Sequence, residues 1–117
     1  MSEPQATPEL NRQSTPPVSV SETEWRLIRD ILQRHVPDCS VWAFGSRVAG
    51  NPRPFSDLDL AIEGEGPLPL ERMDALREAF RESPLPWKVD IVDLANVSDT
   101  FRRLIAPSMR LLQEKAS

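Results

Sequence analysis

The apolar run Ser40-Val41-Trp42-Ala43-Phe44 stops on Gly45-Ser46, and the next apolar run opens on Ser56-Asp57-Leu58-Asp59. A run of this length bounded by a turn signal reads as a buried strand. Ser56 to Glu63 reads as a second strand, in which Asp57 and Asp59 leave the same face about 6–7 Å apart at their Cα atoms. Aspartate is disfavoured in strands, so two on one strand face call for a cause. Paired carboxylates repel, which either destabilises the fold or keeps one of them protonated. A divalent cation removes that penalty, and hard oxygen donors suit Mg²⁺. Gly45 and Ser46 supply close backbone approach, N–H donors and a hydroxyl, which is what a phosphate group requires. The pattern therefore sets a phosphate cradle beside a candidate metal site.

With 117 residues, the chain has room for one domain with a real core. Its net charge of −4 argues against stand-alone binding of duplex nucleic acid, which calls for a basic patch. A nucleotide substrate stays compatible with that balance, because metal ions and local arginines can carry the contact. Cys39 is the only cysteine, so no intrachain disulfide can form, and a reducing cytoplasm is the expected setting. No stretch approaches the apolar length of a membrane span, and the N-terminus lacks the apolar segment of a signal peptide.

Residues 1–19 combine Pro4, Pro8, Pro16 and Pro17 with Ser, Thr, Gln and Glu, and are expected to form a disordered tail. The folded domain is expected over 20–117. Ser21-Glu22-Thr23-Glu24 reads as a capping box. A helix carrying Trp25, Ile28, Ile31 and Leu32 follows, and Pro37 ends it. His35, the only histidine, falls at that helix end. Arg47 to Gly50 reads as one helical turn, and Asn51-Pro52-Arg53-Pro54 as a rigid loop. Leu70 to Glu82 has the spacing of an amphipathic helix, with Leu70, Met73, Leu76 and Phe80 on one face. Trp87 to Leu94 reads as a third strand. Ser98 and Asp99 open a last helix that Pro107 interrupts, leaving Ser108 to Glu114 as a short turn or second segment. The element order makes this a mixed α/β (α+β) domain, a small sheet flanked by helices.

Asp90 supplies a third carboxylate. Two-metal phosphoryl chemistry holds its cations about 3.5–4 Å apart, and two aspartates rarely ligate both. Asp90 lies in the apolar segment Lys88-Val89-Asp90-Ile91-Val92-Asp93, where an unpaired carboxylate is costly. A pairing with Lys88 would be the structural explanation. Asp93 is the competing candidate, but strand alternation puts it on the opposite face.

Phe44-Gly45-Ser46-Arg47, Ser56-Asp57-Leu58-Asp59-Leu60 and Val89-Asp90-Ile91-Val92 together resemble the minimal nucleotidyltransferases of the DNA polymerase beta superfamily. The resemblance spans residues 21–113. It implies a polymerase-beta-type fold, with Asp57, Asp59 and Asp90 as catalytic metal ligands for two Mg²⁺. It implies further that Gly45 and Ser46 hold the triphosphate of ATP or another NTP, with Arg47 a further nucleotide contact. Arg53 is a second candidate for substrate contact. Members of this size resemble antitoxins encoded beside a small helical HEPN-type toxin, and some adenylylate a tyrosine of that toxin. The implied function is Mg-dependent transfer of a nucleoside monophosphate, AMP above all, to a hydroxyl of such a partner. The alternative is a non-catalytic module that binds nucleotide or occludes the partner.

Overall fold

The structure is a computed structural model and describes residues 16–49 and 56–115, with Ser46 and Ala49 described by their backbone only. The disordered tail and the rigid loop with Arg53 expected from the sequence fall on residues 1–15 and 50–55, which lie outside the described residues.

Helix α1 spans Glu22–His35 and starts as its sequence predicts. The Ser21 hydroxyl accepts from the Glu24 N–H at 3.1 Å, and the Glu24 carboxylate accepts from the Ser21 N–H at 2.8 Å. Two backbone donors that the helix itself cannot satisfy are thereby paired. Trp25, Ile28 and Leu32 point inward. Helix α3, Leu70–Arg81, buries Met73, Leu76 and Phe80. Leu70, expected on that same face, stands 71% exposed at the first helical position.

Strands β1 (Ser40–Phe44), β2 (Leu58–Glu63), β3 (Val89–Asp93) and β4 (Arg110–Gln113) form a four-stranded sheet in the order β3-β2-β1-β4. β1 runs antiparallel to β2 and β4, whereas β2 and β3 are parallel. The mixed α/β architecture expected from the element order is the one observed. A single helical turn, α2 (Ser46–Ala49), follows Gly45, and α4 (Asp99–Ile105) starts at Ser98, whose hydroxyl accepts from the Phe101 N–H at 3.0 Å.

Alternation along the strands separates two faces. Val41, Ala43, Leu58, Leu60, Ile62 and Ile91 join the buried side chains of α1 and α3 in the main core. Trp42, Phe44, Ala61 and Val92 turn to the other face, where Ile105, Phe101 and Met109 cover them. Phe101 meets Phe44 edge-on, 5.9 Å between ring centroids. This second layer leaves the end of the sheet nearest Gly45 to the aspartates.

Two readings change at the chain ends. Pro107 does break the last helix, into a 3₁₀ turn over Ala106–Ser108, and the stretch expected as a short turn or second segment returns as strand β4. Trp42 pairs with Leu111 and Ala43 with Arg110 along β1, and the Gln113 side-chain amide donates to the Val36 and Cys39 carbonyls at 2.8 and 3.0 Å. Near the N-terminus, Val18 is buried in the main core and Ser19 is bonded to Arg47, so the packed chain begins upstream of residue 20.

Candidate active site

Gly45 carries the only positive φ among the described residues, +90°, a conformation that disfavours any residue with a β-carbon. The neighbouring strand imposes a second constraint. A Cβ at position 45 would run into the Asp59 carboxylate, with its Cγ only 3.3 Å away. The turn therefore brings bare backbone against a carboxylate, and only glycine permits that approach.

Asp59 is the cross-strand partner of Phe44 on one side and of Asp90 on the other. Asp57 lies two residues upstream, just before β2 begins, and is exposed. Asp59 is half-buried, and burial pushes its carboxyl pKa above the usual range, with the charges of Asp90 and Asp57 adding to the rise. All three acids thus act electrostatically on one spot beside Gly45. As placed, they do not close around a cation: among the described residues, no three His, Cys, Asp or Glu side chains form a ready metal cage. Asp90 Oδ1 instead leans toward Lys88 Nζ at 3.5 Å, the pairing its strand neighbour made available. Both partners are substantially exposed, and such a pair adds little stability. The donor set, three carboxylates with mutual repulsion to relieve, suits a hard divalent cation.

Asp93 takes a different post. Its register partner is Ile62, on the core face, and it is buried. Its carboxylate accepts from the Leu68 N–H at 2.8 Å and the Ala95 N–H at 3.0 Å, tying the loops on either side of the sheet edge. Strand alternation thus separates the two candidates as the sequence predicts, Asp90 toward Asp59 and Asp93 into loop anchoring.

Arg47, expected as a nucleotide contact, is held within the fold by three distant segments. Only 6% exposed, it donates from Nε to the Ser56 carbonyl at 3.0 Å and from Nη1 to the Ser19 carbonyl at 2.9 Å. Its guanidinium stacks 4.3 Å from the centre of the Trp87 ring. Burial lowers its pKa from the usual arginine value. An arginine so engaged clasps the start of the domain, the strand entry at Ser56 and the β3 approach together. No local sequence signal marks this, because its partners come from three distant segments. The backbone of Ser46 opens α2 directly after Gly45; its hydroxyl lies outside the described atoms.

Fold and acid arrangement together define a class, a small nucleotidyltransferase-type α/β domain. The nucleotidyltransferase domain family matches residues 26–113, and the chain belongs to that family. It is 48% identical over 98 residues to the probable protein adenylyltransferase MntA of Haemophilus influenzae, covering 84% of this chain and 86% of that one. In fold it is similar to a toxin–antitoxin crystal structure with AMP-PNP, at a TM-score of 0.66 and 24% identity over 78% of this chain and 73% of that one. It is likewise similar to a structure of tri-AMPylated Shewanella oneidensis HEPN toxin in complex with its MNT antitoxin, at a TM-score of 0.61 and 21% identity, covering 80% and 72% of the two chains. At these identities the structural likeness is one of fold. Among the described residues no helix is long and apolar enough to cross a membrane.

Proposed function

We propose that this chain is a protein adenylyltransferase that transfers AMP from ATP to a hydroxyl on a small helical HEPN-type partner, acting as the antitoxin of the pair in the cytoplasm. The observation that carries the reading is the placement of Asp59 between Gly45 and Asp90. It is supported by the 48% identity to a relative named as a probable protein adenylyltransferase, and by the fold shared with an antitoxin bound to an AMPylated HEPN toxin.

Asp57 and Asp59 would hold Mg²⁺, with Asp90 completing the set at its inner side. Bound there, the ions would supply charge neutralisation for the phosphates and a lowered pKa for the attacking hydroxyl. Gly45 and Ser46 would offer backbone N–H groups beside Asp59 to the triphosphate. The Asp90 carboxylate would orient the acceptor hydroxyl and receive its proton. The acceptor oxygen forms its bond to the α-phosphorus as the bond to pyrophosphate breaks, in line.

The test is incubation of the chain with its partner, ATP and Mg²⁺, followed by intact-mass measurement. The partner should gain the mass of one or more AMP units, and Asp57→Asn should abolish the gain. Partner neutralisation without any mass gain would point to the non-catalytic alternative.

A further inference from the structure

The two faces of the sheet are covered unequally. On the main-core face Leu58, Leu60 and Ile62 are fully buried. On the other face the cover is α4, seven residues long, and Phe44, Phe101 and Met109 stay half-buried there. These three side chains adjoin the acids. Phe44 is the register partner of Asp59, and Asp59 of Asp90, so one row across the sheet passes from ring to acid to acid. Met109 extends the row beyond Phe44, since it adjoins Arg110, the register partner of Ala43, and packs in the same apolar cluster. Neighbouring strands lie about 4.8 Å apart, so the apolar group begins one strand from Asp59. Phe101 reaches Phe44 from α4 with its ring plane at 84° to that of Phe44. In such an edge-on pair each ring keeps at least one face clear of the other.

We propose that Phe44, Phe101 and Met109 form the wall on which the base of the nucleotide stacks, with Phe101 the main contact. The proposal rests on the adenylyltransferase reading above. The direction of the reaction selects this side of Asp59. In an in-line displacement the acceptor and the pyrophosphate stand on opposite sides of the α-phosphorus. With the acceptor toward Asp90 and the pyrophosphate toward the Gly45–Ser46 turn, the nucleoside leaves that axis sideways. On the face that Asp59 shares with Phe44, the apolar surface next to it is the Phe44 ring, with Phe101 against it. An aromatic ring recognises a base by its π face, and a thioether packs well against the edge of an aromatic ring system. The half-covered end of this second layer thereby gains a role that packing alone does not give it.

The test compares two probes by calorimetry on the full chain with Mg²⁺, ATP and ribose 5-triphosphate, which has the phosphates and sugar but no base. The native chain should bind ATP about tenfold more tightly, the gain expected from stacking one base. Phe101→Leu keeps apolar bulk but removes the ring. It should leave the affinity for ribose 5-triphosphate unchanged and bring that for ATP down to the same level, whereas Phe101→Tyr should retain native ATP binding. With the partner present, Phe101→Leu should raise the KM for ATP and leave kcat near native, the signature of a lost binding contact. Equal affinity of the native chain for the two probes would overturn the proposal. So would a parallel loss of both in Phe101→Leu, which would assign the ring to the shape of the phosphate site. Ring-dependent ATP binding by a native pair that transfers no AMP would uphold the base site and overturn the transfer reading instead.

Discussion

The carboxylate of Asp59 occupies the space that a β-carbon at Gly45 would fill, so the turn after β1 and the acid on β2 are sterically one unit. Gly45→Ala should therefore fail twice. The left-handed backbone at position 45 costs about 1–2 kcal/mol for a residue with a β-carbon, and the added methyl must displace Asp59 as well. A fall in melting temperature together with loss of nucleotidyl transfer is the expected outcome. A variant that is destabilised but fully active would show that Asp59 can move without consequence.

Asp59→Asn should abolish transfer and yet stabilise the ligand-free fold at neutral pH. The sign follows from proton binding. The Asp59 carboxyl is held above its ordinary value in the folded state, so between the unfolded and folded pKa values the native chain binds more protons than the unfolded one. Stability contributed by this group is accordingly lost as pH rises through that window, and the penalty is full above it. The gain from Asp59→Asn should shrink as pH falls toward the unfolded carboxylate value. Denaturant melts at neutral and acidic pH check this, and added Mg²⁺ should stabilise the native chain but not the variant.

Asp90 and Asp93 should separate cleanly in a paired experiment. Asp90→Asn should reduce transfer by about a thousandfold, in line with several kcal/mol of lost transition-state stabilisation, with little change in stability. Asp93→Ala leaves the Leu68 and Ala95 N–H groups without their acceptor, at a cost of about 2–3 kcal/mol. Its residual activity per folded molecule should stay near the native value. Reversed outcomes would reassign the third carboxylate to Asp93.

Arg47→Lys should behave as a folding variant. An ammonium group cannot reproduce donation to both the Ser19 and Ser56 carbonyls while stacking on Trp87. A loss of about 2–4 kcal/mol is expected from the broken charged hydrogen bonds and the weakened stacking. Below the melting temperature, ATP affinity should remain near native. A selective loss of ATP binding in a fully stable variant would restore Arg47 to the nucleotide site.

Local signals in the chain already determined much of the architecture. The Ser21–Glu24 box starts α1 because both of its hydrogen bonds close within four residues. The alternation around Asp57, Asp59 and Asp90 assigns faces because side chains on a strand repeat every two residues. Those periodicities survive without knowledge of the neighbours, and they put Asp59 and Asp90 on one face of paired strands. Other features depended on segments far apart in the chain. β4 forms because the sheet offers an open edge beside β1, to which Arg110–Gln113 returns after the 3₁₀ turn. Leu111 and Leu112 alone do not announce a strand. Arg47 became a buried clasp because Ser19, Ser56 and Trp87 converge on it only when the sheet and the N-terminal segment pack. The raised pKa of Asp59 arises the same way, from burial and from Asp90, a residue that parallel pairing of β2 with β3 brings alongside. Periodicity is a property of neighbouring residues and can be read along the chain, whereas burial, charge and register partners are set by what the fold brings across it.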